Sequence, residues 1–172
     1  SPAVPTAHRT ILSALGQTRK LNYKKQTIDT CMKDLSKSLG IKIQVHESVM
    51  KIGQPERVID FETEEPVSHQ TAIRLVMQQF GFYEYGLVFG DKQLTIVHGS
   101  EYPGTFLCTY SLMSRSDFSI AERERWMQST RNEVFSDTWG VENKTWIQPG
   151  ESIFEVAIYQ TQKVQTEIRK RM

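Results

Sequence analysis

The side chains best suited to chemistry are one thiol and two imidazoles. Cys31 with His46 or His69 would supply a nucleophile and its base. The spacing around Cys31 argues against that use. Ile28, Cys31, Met32, Leu35 and Leu39 recur at helical intervals, so the thiol belongs to the apolar stripe of one helix. A buried thiol with no cationic neighbour is inert. Glu62, Glu64 and Glu65 are clustered acids, but they precede Pro66 and Ser68 at the start of a second helix, where carboxylates suit the helix dipole. His8 falls in the lead-in and His98 ends a strand. The four histidines (8, 46, 69 and 98) show no metal-ligand spacing, and no Cys-x-x-Cys pair exists. Cys31 and Cys108 leave a disulfide open, though both sit on apolar faces, where cysteine behaves as a small hydrophobe. No catalytic residue, metal or cofactor is assigned, and the chain reads as a non-enzyme.

Bulk composition narrows the partners. The 172 residues are 38% apolar, with three Trp, eight Phe and six Tyr, enough to build a packed core. Net charge is +1, and the halves on either side of Gly99 carry +2 and −1. Neither half has the basic surplus of a nucleic-acid binder. No apolar run approaches the roughly 18 residues that a membrane span needs, so this fragment is not expected to insert directly into a membrane.

The elements follow from periodicity and punctuation. Residues 1–9 read as a disordered lead-in or tag scar, with a short helix forming over Ala7 to Leu15. RKLNY (Arg19 to Tyr23) is a short strand. Thr27 caps a helix running to Leu39, and Gly40 ends it. Ile41, Ile43 and Val45 alternate as a half-buried strand. A helical piece over Val49 to Ile52 and a strand over Arg57 to Phe61 follow. The next helix buries Ala72, Ile73, Val76, Met77 and Phe80 and closes at Gly81. Phe82 to Val88 and Gln93 to Val97 form a hairpin about Gly90-Asp91. GSEYPG (99–104) is the linker. Beyond it come a strand over Thr105 to Leu112 and a helix over Ile120 to Phe135, with Trp126, Met127, Thr130 and Val134 inward. A hairpin turning at Gln148-Pro149-Gly150-Glu151 and a last helix carrying Val164 and Ile168 complete the order β-α-β-β-α.

One corner is written twice. LSKSLGIKIQV (35–45) and VMQQFGFYEYG (76–86) each run from helix through glycine to strand. At a shift of 41, Thr30 meets Thr71, Leu35 meets Val76, Leu39 meets Phe80 and Gly40 meets Gly81. Leu21-Asn22-Tyr23 resembles Ile59-Asp60-Phe61 at a shift of 38. Duplication and convergence both account for this. Either way a helix, a glycine and a strand fold the helix back over a sheet. The predicted class is α+β, with two small lobes, each a small mixed sheet packed by two helices.

These segments resemble a known pair of domains. TILSALGQTRKLNYKKQTIDTCMKDLSKSLGIKIQV (10–45) is similar to the short N-terminal domain of secretins and signalling TonB-dependent transporters, in the version found in planctomycete exported proteins. Asp137-Thr138-Trp139, the hairpin to Tyr159, and Gln160-Thr161-Gln162-Lys163-Val164 through Ile168 resemble the ring-building, KH-like βαββα domain that follows it in secretins. Such domains often carry several glycines between the Trp and the hairpin, and here only Gly140 remains. The lobe also lacks the Gly-x-x-Gly loop with which KH domains clamp RNA. The resemblance implies a short N-terminal-like domain over 10–98, the linker, and a ring-building-like domain over 105–172.

It further implies a non-catalytic interaction or assembly module of an exported or cell-envelope protein, located in the periplasm or envelope. Its partner would be another protein, or a second copy through sheet edges. The N-terminal periplasmic part of a true secretin channel subunit is one alternative. A small-molecule or glycan-binding domain is another. Candidate interface residues are Tyr83 and Tyr85, alternating with Phe82 and Glu84 on a strand, and Trp146 beside the hairpin. Trp126 reads as core, Trp139 as a plug after its helix, and for Trp146 core packing is the leading reading with an interface as the alternative.

Overall fold

A computed structural model describes residues 4–52, 56–112, 118–140 and 142–172. The chain is α+β and divides into two compact units, Thr6–His98 and Gly99–Met172.

In the first unit α1 (Thr6–Leu15) leads into β1 (Thr18–Arg19) and β2 (Asn22–Gln26). Then follow α2 (Ile28–Leu39), β3 (Lys42–Val45), α3 (Glu47–Ile52), β4 (Ile59–Glu62) and β5 (Val67–Ser68). α4 (His69–Gln79) and the hairpin of β6 (Tyr85–Gly90) and β7 (Gln93–His98) close the unit. β3 pairs with β7 in parallel and β7 with β6 antiparallel, giving the order β3-β7-β6. β2 and β4 form a separate antiparallel ribbon, and β1 pairs with β5.

The helix and glycine of the doubled corner are present in both copies. Thr27 accepts the Thr30 N–H at the start of α2, and Ser68 accepts the Thr71 N–H at the start of α4. These caps stand at the same shift of 41 as the helix ends. Gly40 and Gly81 take left-handed φ of 72° and 81°, where a side chain would be strained. The stripes Ile28, Cys31, Met32, Leu35, Leu39 and Ala72, Ile73, Val76, Met77, Phe80 are all buried.

Two expectations are corrected here. The lead-in does not extend to residue 9: α1 begins at Thr6, and His8 is buried edge-on against Phe89, with ring centroids 5.2 Å apart. Burial of Ile11 and Leu15 holds the helix down, and its first turn carries His8 with it. Residues 1–3 lie outside the described residues. Phe82 to Glu84 are not strand; β6 starts at Tyr85. After the left-handed Gly81, the Phe82 N–H turns back to the Met77 carbonyl at 3.0 Å, so those residues finish the helix end instead of pairing.

The second unit runs β8 (Thr105–Ser111), α5 (Ile120–Glu133), a 3-10 turn (Ser136–Thr138), β9 (Trp146–Pro149), β10 (Glu155–Thr161) and α6 (Gln162–Lys170). β10 lies between β8 and β9 and is antiparallel to both. The mixed pairing expected of both sheets thus occurs in the first unit, while this one is antiparallel throughout. Its core gathers Trp126, Met127 and Val134 with Ile147, Val156, Ile158, Val164 and Ile168. Half-buried Trp139 packs on that cluster and donates its indole N–H to the Val134 carbonyl at 2.8 Å.

Candidate functional site

The residues first weighed for chemistry turn out to be structural. Cys31 is fully buried, and that burial pushes its thiol up to about 12. Burial also raises Cys108, and neither cysteine is in a disulfide. His69 is buried and stitches three segments together. Its Nδ1 lies 2.5 Å from the Gln17 carbonyl, an acceptor, so this nitrogen carries the proton. Nε2 then accepts from the Ser38 hydroxyl at 2.8 Å. His46 caps α3 instead, its Nδ1 accepting the Ser48 N–H at 3.1 Å. Glu62, Glu64 and Glu65 are exposed. The cap of α4 is Ser68 and the first turn holds no acid, so these carboxylates stand upstream of the helix dipole they were expected to serve. Among the described residues no group of three His, Cys, Asp or Glu is placed to hold a metal, and no helix is long and apolar enough to cross a membrane.

Two of the three interface candidates meet. Tyr83 and Tyr85 line a cleft of about 290 Å³ with Phe82, Glu84, Val49 and His98. Tyr83 is 73% exposed, and Tyr85, half-buried, sits opposite His98 in the β6–β7 ladder. Val49 comes from α3 and His98 from the far end of the hairpin, so the cleft joins segments that local pattern could not connect.

Trp146 does not belong to this site. It is 0% exposed in the second unit, stacked on Tyr159 with centroids 5.6 Å apart and planes 15° from parallel. The register explains this: Trp146 opens β9 directly across from Tyr159, and both face inward.

Sheet edges are the other feature able to bind a chain. The free side of β3 is partly closed from within: Ile43 and Val45 turn outward, and the Ile43 N–H donates to the Ser36 hydroxyl at 2.8 Å. The free side of β9 is partly closed as well, on either side of the outward-turned Ile147. Thr145 and Gly140 exchange backbone hydrogen bonds of 3.1 and 3.3 Å, and Pro149 has no N–H to offer. The β2–β4 ribbon is different. Thr63 N–H bonds the Leu21 carbonyl, which makes Tyr23 and Phe61 a hydrogen-bonded pair and turns the peptide groups of Asn22 and Glu62 outward. Around β2 lie exposed Lys20, Lys24 and Lys25. Around β4 lie exposed Asp60, Glu62, Glu64 and Glu65. One rim of the ribbon is basic and the other acidic. Neither expected sheet-edge contacts nor cleft residues were specified by sequence to this level, since edge closure depends on contacts between separate elements.

No family model matches the chain, and no curated protein matches it. Among solved structures, one described as the enterotoxigenic Escherichia coli GspC-GspD complex from the type II secretion system aligns at a TM-score of 0.36 and 12% identity. That alignment covers 90% of this chain and 96% of the other. The structure of XcpQN012 aligns at a TM-score of 0.35 and 12% identity, over 90% of this chain and 62% of that one. Both are distant likenesses.

Proposed function

We propose that the chain is a non-catalytic assembly module of an exported or cell-envelope protein, built as a secretin-type short domain (10–98) followed by a ring-building-like domain (105–172). The sequence resemblance over residues 10–45 and 137–168 supports the class. One observation supports the mode of action: the β2–β4 ribbon has outward peptide groups on both rims, with opposite charges on the two rims. An open edge can pair with another strand. Opposite rims on one ribbon suit a contact in which β4 of one copy meets β2 of the next. Such a contact is heterologous and propagates into a ring if its rotation closes.

The energetics predict weak, salt-sensitive association. Each exposed ion pair contributes about 0–1 kcal/mol and is screened by salt. Sedimentation velocity over a wide concentration range, at low and high ionic strength, tests the reading. The expected result is association that fades with salt and is abolished by combining Lys20→Glu with Lys24→Glu. Mixing that variant with Glu62→Lys/Glu64→Lys should restore pairing between unlike copies. A monomer at every concentration and ionic strength would sink the self-association reading.

A further inference from the structure

Apart from His98, the polar and aromatic groups that line the cleft beside α4 share one electrostatic sign. Its lining includes Tyr83 and Tyr85, with the buried Phe82 beside them, and aromatic rings carry negative faces. Glu84 adds an exposed carboxylate that makes no ion pair among the described residues. The cleft floor includes Gly81, directly past the C-terminal end of α4. That end carries the negative pole of an 11-residue helix, tempered by the N–H groups of Phe80, Gly81 and Phe82 on its carbonyls, with no basic residue in its last turn. Three independent sources of negative potential converge on one concavity, and the matching occupant is a cation. The volume, about 290 Å³, sits at the lower end of the roughly 300–1,000 Å³ typical of ligand pockets. It suits one long side chain better than an extended ligand.

We propose that this cleft binds a single arginine or lysine side chain presented by a protein partner, held over the Tyr83 and Tyr85 rings with its charge against Glu84. The choice of a protein source rests on the interaction-module reading above. A cation over an exposed ring gains about two- to fivefold in affinity, and a charged partner adds to that. Tyr83 is largely solvent-exposed and Glu84 lies on the surface, so substitution at either leaves the core intact.

The test is an NMR titration of the full chain with three probes: acetyl-Gly-Arg-Gly-amide, the same peptide with neutral citrulline, and a neutral disaccharide. The arginine peptide should move the backbone amides of residues 81–85 and 98 saturably. Citrulline, matched in shape, should bind about tenfold more weakly, because it lacks the charge on which cation–π attraction depends. Glu84→Gln should weaken arginine binding by up to about fivefold and Tyr83→Ala by about two- to fivefold, with unchanged circular dichroism. Equal binding of citrulline, saturation by the disaccharide instead, or no saturable shift with arginine would each overturn the assignment. The two readings fail separately. Glu84→Gln leaves ribbon-mediated sedimentation unchanged, and Lys20→Glu/Lys24→Glu leaves the arginine titration unchanged.

Discussion

Replacing Gln165 by leucine tests how α6 is fastened to its sheet. The side chain is fully buried. Its amide donates to the carbonyls of Phe106 and Ile158 at 3.1 and 2.9 Å, and its oxygen accepts from the Tyr110 hydroxyl at 2.5 Å. The ladder decides how much is lost. Leu112 N–H bonds Phe154 C=O at 2.6 Å, so by alternation Cys108–Ile158 and Phe106–Gln160 are hydrogen-bonded pairs. Each carbonyl that Gln165 serves therefore keeps a strand partner after the substitution. Three net hydrogen bonds vanish at about 1 kcal/mol each, without a fully orphaned carbonyl. Added apolar burial returns roughly 1 kcal/mol. The expected loss is about 2 kcal/mol, or roughly 4–8 °C in Tm for a chain of this size. Tyr110→Phe should cost about 1 kcal/mol alone and nearly nothing beside Gln165→Leu, a coupling of about 1 kcal/mol. Urea unfolding followed by tryptophan fluorescence suits the assay, because Trp126, Trp139 and Trp146 all lie in the unit that holds Gln165. If Gln165→Leu is as stable as the parent, desolvating the amide costs as much as its bonds return, and the fastening role is wrong.

Other outcomes follow from the same coordinates. Thr130 is 1% exposed and its hydroxyl makes no hydrogen bond among the described residues, so Thr130→Val should stabilise by about 1 kcal/mol; a loss in the same urea assay would contradict this. Gly40→Ala and Gly81→Ala should each cost about 1 kcal/mol, and by similar amounts. Their added methyls meet nothing within 4 Å, leaving the left-handed φ as the whole penalty; unequal melting shifts would show another term. Both cysteines should resist alkylation at mildly alkaline pH in the native protein and react on unfolding, and fast native labelling would refute their burial. Folding also keeps the Cys31 proton that the unfolded chain releases near pH 9.0, up to about 12. This contribution to stability is therefore complete below pH 9 and is lost as pH rises toward 12, with buried Tyr23 and half-buried Tyr110 acting in the same direction. A urea midpoint that stays level through this range would count against it.

What sequence made legible was local and periodic. Thr27, the stripe from Ile28 to Leu39 and Gly40 specify α2 almost residue by residue, because cap, apolar face and left-handed stop all act within one helix. The second copy of that corner was legible for the same reason. Phe82 to Glu84 misled because hydrophobic alternation looks the same in a strand and in a helix end folding back on itself. Trp146 could not be placed until its pairing with Tyr159 fixed which way it faced. Of the cleft, Tyr83 and Tyr85 were visible as a pair, but Val49 and His98 reach it only through tertiary folding. The closure of β3 by Ser36 had no local signal, since a serine within a helix gives no sign of the strand it serves.

Those plugged rims bear on how the chain behaves when crowded. A fibril grows by laying new strands on bare peptide groups, and here two sheet ends each have positions already occupied or without a donor. At β3 the barrier is one oxygen atom. Ser36→Ala would leave the helix intact, uncover the Ile43 N–H and lengthen the run of peptide groups that an incoming strand can copy. A side chain one turn from a glycine corner thus helps decide whether crowded copies meet at the charged ribbon or stack without limit.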